Sequence, residues 1–251
     1  MSSGGRRVVA VTGGTRGIGL AIAETFLARG YAVGVCSRSP RHATLPCEIL
    51  HCVADVRKRA DQGRFVSAVV KEFGSLDVFV NNAGISRWRT IDQIDESFVT
   101  EIIETSILGA LWGCAAAADA LQAAGSIVTV SSLAGKRGSA NNSAYCAAKF
   151  AVNGITQALA KELGPRGIRV NAVCPVYVET ADILKSLEES ESPAAGVPAR
   201  EYLAKFAAAQ TALGRLPTAN EVAEAVFFLA SPAASAITGQ CINIDCGTLP
   251  Q

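Results

Sequence analysis

Tyr145 and Lys149 stand four residues apart in the run Tyr145-Cys146-Ala147-Ala148-Lys149. On a helix, that spacing puts both side chains on one face. A free tyrosine has a pKa of about 10 and is a poor proton carrier at neutral pH. A nearby ammonium favours the phenolate and draws Tyr145 toward the working range. Y-x-x-x-K alone is common on helix surfaces, but here Ser131-Ser132 precedes it at the end of the strand-like run GSIVTVSS. Ser132 lies 13 residues before Tyr145.

A second group of residues suits phosphate. The run RRVVAVTG leads into Thr12-Gly13-Gly14-Thr15-Arg16-Gly17-Ile18-Gly19, and a helix is expected from about Gly17 to Ala28. Glycines there permit a tight turn and close backbone approach, and the helix N-terminus offers free N–H groups to a pyrophosphate. YAVGVCS follows as the next strand, which makes a β-α-β unit and a dinucleotide site. An NAD site needs a carboxylate at the end of the second strand to hold the ribose 2′-hydroxyl. Val35-Cys36-Ser37-Arg38 has none. Arg38 can instead pair with a 2′-phosphate, and Arg16 can reach it from the other side, so the cofactor expected is NADP(H).

Positioning these groups falls to short apolar runs that alternate with helical stretches. EILHCVAD, LDVFVNNAG, GSIVTVSS, IRVNAVCP and QCINIDCG read as buried strands, with helices at about 61–73, 95–124, 143–163 and 219–230. That alternation predicts an α/β fold, a Rossmann-type doubly wound parallel sheet with both faces covered. With no linker and no repeat, residues 1–251 read as one domain. Residues 180–217 are polar and strandless, the mark of a lid or of a disordered insertion. Pro40 and Pro46 leave the helix after the second strand shortened or lost.

The glycine spacing G-x-x-x-G-x-G resembles that of the short-chain dehydrogenase/reductase family, and further motifs extend the likeness over nearly the whole chain. The general layout and VNAVCPVYVET look similar to 3-oxoacyl-acyl-carrier-protein reductases and aromatic polyketide ketoreductases. The resemblance implies that Ser132 orients a substrate oxygen, Tyr145 transfers its proton, and Lys149 holds the nicotinamide ribose and tunes Tyr145. It places Asn81-Asn82-Ala83-Gly84 beside the nicotinamide ribose and Asp55, with Val56, at the adenine. A carboxylate at Asp55 suits the exocyclic amine of adenine, and equally suits capping the next helix. Gly13, Thr15, Ile18 and Gly19 would line the pyrophosphate, Ser37 the 2′-phosphate, and Pro175, Val176, Val178 and Thr180 the nicotinamide.

Departures from the family pattern fall near the reacting groups. Ser106 occupies the position of a catalytic Asn, which puts the proton-relay water in doubt because Ser is shorter and has no amide. Val176 replaces the Gly of a Pro-Gly pair, and Cys246 stands in the final Asp-Gly-Gly. On the substrate side, Ser86, Trp88, Asn142 and Tyr177 are candidates, with Trp88 placed to stack on a ring. Arg87, Arg89 and Lys136 suit a carboxylate, a phosphate or a carrier-protein surface, or form a solvated cationic rim.

Composition narrows the rest. Lys and Arg number 23 against 22 Asp and Glu, which argues against a nucleic-acid partner. Hydrophobic residues at 49% exclude disorder. Asp119 interrupts the Ala-rich stretch, so no membrane span is expected, and MSSGGRR lacks the apolar core of a signal peptide. A cytoplasmic protein with eight reduced cysteines follows. With only His42 and His51, no metal site is expected. The expected activity is NADPH-dependent reduction of a ketone, 3-oxoacyl or polyketide-like, by a homo-oligomer, dimer or tetramer. The rivals are an alcohol or sugar dehydrogenase run oxidatively and a non-catalytic NADP-binding regulator.

Overall fold

The computed structural model describes residues 6–41, 43 and 45–250, so His42 lies outside it. Seven apolar runs form strands: β1 (Val8–Thr12), β2 (Ala32–Ser37), β3 (Leu50–Val53), β4 (Val78–Asn81), β5 (Ser126–Val130), β6 (Arg169–Pro175) and β7 (Cys241–Ile244). All pair in parallel, in the order β3-β2-β1-β4-β5-β6-β7. The order reverses between β1 and β4, which opens a crevice beyond their carboxyl ends. β1, β4 and β5 are buried at every residue, because helices cover both faces and no polar alternation is needed.

On one face lie α1 (Gly17–Ala28) and α8 (Ala219–Ala230), where Phe26 meets Tyr31 and Phe227 edge-on at 5.0 and 5.2 Å. The other face carries α2 (Arg59–Phe73) and α5 (Ser143–Leu163), and buries Phe65 and Phe79 completely. Each such phenylalanine contributes about 1.5–3 kcal/mol through burial.

The helix expected over 95–124 is in three parts. Asp95 caps α3 (Glu96–Ile102), a π-helical turn spans Ile103–Leu108, and α4 (Gly109–Ala120) follows until Leu121 turns extended. By length and composition alone the run Glu96–Ala120 is apolar enough to cross a membrane. In the fold, α4 instead packs on α2 and the sheet.

Between β2 and β3 the described residues form no helix. Arg41 organises that loop by donating to Ile49 O at 2.7 Å and Pro46 O at 2.6 Å. Residues 180–217, by contrast, hold α6 (Ala181–Leu187) and α7 (Ala199–Gln210). A small core of Trp88, Leu187, Ala194 and Leu203 joins them. The polar composition concealed the few apolar residues, Ile183, Leu184, Leu187 and Leu203 among them, that make this core. All eight cysteines are free thiols.

Candidate active site

Three elements bring the central residues together. Ser132 follows β5 and caps a short 3-10 turn, its hydroxyl accepting from Ala134 N at 3.1 Å. Tyr145 and Lys149 lie on consecutive turns of α5, with Lys149 Nζ 5.6 Å from the Tyr145 ring centre. The Ser132 hydroxyl lies near enough to the Tyr145 phenol to favour its ionised form. Lys149 is buried and donates to Val130 O at 3.0 Å.

The electrostatics differ from the expectation. Burial pushes the Tyr145 phenol up to about 12, and the Ser132 hydroxyl only partly offsets it. Burial also brings the Lys149 ammonium down to about 8. Burial therefore dominates the titration of the phenol.

Sequence reasoning missed Asn153. One turn beyond Lys149, its Oδ1 accepts from Ser131 Oγ at 2.7 Å and its Nδ2 donates to Gly135 O at 2.9 Å. It pins the serine loop to α5. Its signal was available: Asn153 continues the four-residue spacing of Tyr145 and Lys149.

Ser106 sits in the π turn, buried, and its hydroxyl has no hydrogen-bond partner among the described residues. It lines a cavity of about 10 Å³ together with Thr12, Asn81, Val56 and Lys149. That is room for one water.

The glycine turn fits a dinucleotide. Gly13 has φ +64°, and a Cβ on Gly19 would overlap the Gly13 carbonyl oxygen. α1 begins at Arg16 with no side-chain cap and no acid in its first turn, so its leading N–H groups face the crevice without a competing carboxylate. Asn82 braces this turn, donating to Thr12 O and Gly13 O at 3.0 and 3.1 Å. Thr12 Oγ1 in turn accepts from Asn82 N and Ala83 N. Gly84 lies close by, where a Cβ would be 3.7 Å from Lys149 Nζ.

Other expected contacts are placed differently. Arg16 pairs with Asp182 of α6 at 3.1 Å, both ends exposed, rather than turning toward Arg38. Asp55 is engaged by Arg57, whose NH2 donates at 2.6 Å, and that hydrogen bond holds the carboxyl below its usual range. Nor does Asp55 cap α2; Asp61 accepts from Asp55 N at 3.0 Å. Val56 and Val178 bury their side chains in the two main cores. Ile18 packs against the first of these. Thr180 caps α6, accepting from Ile183 N at 3.3 Å, and its methyl would lie 3.5 Å from a Cβ on Gly17. Val176 N bonds Ile244 O at 3.2 Å, which fixes the chain just beyond Pro175.

The substrate-side expectations need the largest correction. Trp88 is 3% exposed, and its Nε1 donates to Ser186 Oγ at 2.9 Å, so it is unavailable for stacking on a ring. Ser186 in turn donates to Ser86 O at 3.0 Å. Arg87 pairs with Glu189 at 2.8 Å and with Glu101 at 3.4 Å, Arg89 pairs with Glu189 at 3.3 Å, and Glu189 also accepts from Trp88 N. Tyr177 packs edge-on against Phe206 and Tyr202, and burial, followed by the neighbouring Tyr202 phenol, raises its phenol pKa. Asn142 is buried at the start of α5 and its Oδ1 is unpartnered among the described residues. Lys136 makes no ion pair among the described residues and is half-buried.

Comparison with known proteins agrees with this geometry. Residues 13–248 match the family model described as enoyl-(acyl carrier protein) reductase. A Streptomyces virginiae protein named for the ketoacyl reductase of the monensin polyketide synthase is 36% identical, covering 99% of each chain. The aldohexose dehydrogenase of Thermoplasma acidophilum superposes with a TM-score of 0.88 at 32% identity, over 98% of each chain. A short-chain dehydrogenase of Burkholderia cenocepacia in complex with NADP gives a TM-score of 0.84 at 31% identity, over 97% of each chain.

Proposed function

Because the chain belongs to the short-chain dehydrogenase/reductase family of oxidoreductases, we propose that it reduces a ketone to a secondary alcohol with NADPH. The observation that carries this reading is the Ser132-Tyr145-Lys149 set at the crevice edge, beside a glycine turn shaped for a dinucleotide. When bound, the nicotinamide supplies the hydride. Ser132 and Tyr145 hold the ketone oxygen, and Tyr145, kept protonated by burial, delivers the proton to it. Lys149 holds the nicotinamide ribose, and its charge assists loss of the phenolic proton. Ser106 holds a water in the small cavity beside Lys149, through which the phenol is reprotonated.

The cofactor choice rests on the end of β2, where Ser37 and an exposed Arg38 stand in place of a carboxylate. The NADP bound to the Burkholderia cenocepacia relative supports it. Substrates of the 3-oxoacyl or polyketide type, free or thioester-linked to a carrier, are favoured by the likeness to the polyketide ketoacyl reductase. With Arg87 and Arg89 paired to carboxylates, a carrier would meet Lys136. The α6–α7 segment acts as the lid over Tyr177 and Asn142. We read the protein as a cytoplasmic homo-oligomer, with Ile103 and Phe150 exposed on the helices that would pair.

A second reading, oxidation of a sugar, is favoured by the TM-score of 0.88 to an aldohexose dehydrogenase. The deciding experiment offers NADPH or NADH with 3-oxoacyl thioesters, diketones and aldose-derived lactones, and follows loss of reduced-nicotinamide absorbance. Turnover of the oxoacyl thioesters with NADPH supports the proposal. NADPH binding without turnover of any carbonyl contradicts it.

A further inference from the structure

The end of β2 holds a pair of groups used by neither the glycine turn nor the catalytic set. Ser37 donates its hydroxyl hydrogen to Ser39 O at 2.9 Å, and its oxygen lies 2.9 Å from His51 Nε2. A hydroxyl has one hydrogen. With it committed to Ser39, the oxygen accepts, and Nε2 carries the proton of a neutral imidazole. Nδ1 is then the nitrogen free to titrate.

The register explains the meeting. Val35 pairs with His51, so Val35, Ser37 and His51 share one face of the sheet edge. A right-handed crossover would lay its helix over that face. Here the crossover is the Arg41-braced loop, and an open groove of about 370 Å³ remains beside His51. The imidazole is therefore half-buried at a wet wall, one hydrogen bond from the residue that would meet a 2′-phosphate.

Its charged surroundings are mixed. Burial, helped by Arg41 approaching from the loop, holds the His51 pKa below the ordinary 6.5. Glu48 from the loop and Glu72 from α2 line the same groove, as does the Cys47 thiol. Arg38, just past β2, is exposed and forms no ion pair among the described residues. A phosphomonoester docking there brings about −1.5 to −2 charges at neutral pH.

Resting on the NADP(H) reading above, we propose that His51 is a proton-linked selector for the 2′-phosphate. The imidazole is neutral in the free protein and takes up a proton when a 2′-phosphate docks on Arg38, beside Ser37 and its bonded imidazole. The preference for NADP(H) over NAD(H) therefore grows as pH falls.

The phosphate raises the imidazole pKa in the complex, so the affinity gain is absent above that raised value. It grows as pH falls through it and levels off below the free value. NAD(H) brings no phosphate to this end and gains nothing. The phosphate itself titrates near a pKa of about 6, which works in the opposite direction. A non-titrating variant separates the two, and His51→Gln keeps a donor for Ser37.

The test is calorimetric binding of NADP⁺ and of NAD⁺ to wild type and His51→Gln at about pH 7.5 and about pH 5.5, the span over which histidine changes charge. Relative to His51→Gln, the wild-type discrimination between the two nucleotides should grow by about 3- to 10-fold at the lower pH. Proton uptake on binding NADP⁺, read from buffers of different ionisation enthalpy, should be present in wild type and reduced in the variant. Unchanged NAD⁺ affinity in His51→Gln verifies the fold. Parallel pH dependence in the two proteins, with NADP⁺ still preferred, overturns the role of His51 and leaves the cofactor reading standing. Equal affinity for both nucleotides at about pH 7.5 in both proteins overturns the cofactor reading, and the proposal with it.

Discussion

Lys149 Nζ donates to the main-chain oxygen of Val130 at 3.0 Å, which ties the centre of α5 to the last residue of β5. The tie fixes the ammonium beneath Tyr145 and buries it, and burial lowers its pKa to about 8. Lys149 is therefore cationic at neutrality and loses its charge as pH rises through that value. Tyr145, at about 12, remains a proton donor throughout. The kcat/KM for ketone reduction should be level near neutrality and fall above a pH of about 8, approaching tenfold per unit. A profile still level two units higher would detach Lys149 from the reaction.

Arg38 carries the cofactor choice. A charge-assisted pair is worth about 1.5–3 kcal/mol, so Arg38→Ala should weaken NADP⁺ binding by about 10- to 150-fold and leave NAD⁺ unchanged. Equal losses for both nucleotides would place Arg38 outside the 2′-phosphate site.

Trp88 and Glu189 join α6 to the loop after β4. Trp88→Ala empties a buried site and should cost about 3–5 kcal/mol, measured as a shift in the denaturant midpoint. A variant of wild-type stability that loses only ring-bearing substrates would return Trp88 to the binding surface.

Ser106 buries a hydroxyl that finds no partner among the described residues. Ser106→Ala should leave stability within about 1 kcal/mol of wild type, since no protein hydrogen bond is lost. It should lower kcat about 3- to 10-fold if the hydroxyl holds the relay water. Ser106→Asn should restore the rate, and an unchanged kcat in Ser106→Ala would remove Ser106 from the reaction.

Much of the fold was legible because a buried parallel sheet writes itself as short Val-rich runs such as Val8–Thr12 and Ser126–Val130. The glycine turn and the Tyr145–Lys149 spacing were local and equally plain. What escaped depended on distant partners. Arg87 and Trp88 read as a cationic, aromatic substrate rim because Glu189 and Ser186, about 100 residues later, were not visible as their partners. The π turn has no sequence period of its own, so Ile103–Leu108 read as plain helix. Desolvation of Tyr145 depends on packing, and a nearby lysine in the sequence suggested the opposite direction of shift.

The central claim is that the Tyr145 phenol delivers the proton during ketone reduction. Tyr145→Phe keeps the ring and removes only the hydroxyl. Its single-turnover rate with NADPH and a 3-oxoacyl thioester should fall at least about 100-fold while NADPH affinity stays within about 3-fold of wild type. A variant that binds NADPH normally and reduces the ketone at the wild-type rate would contradict the account.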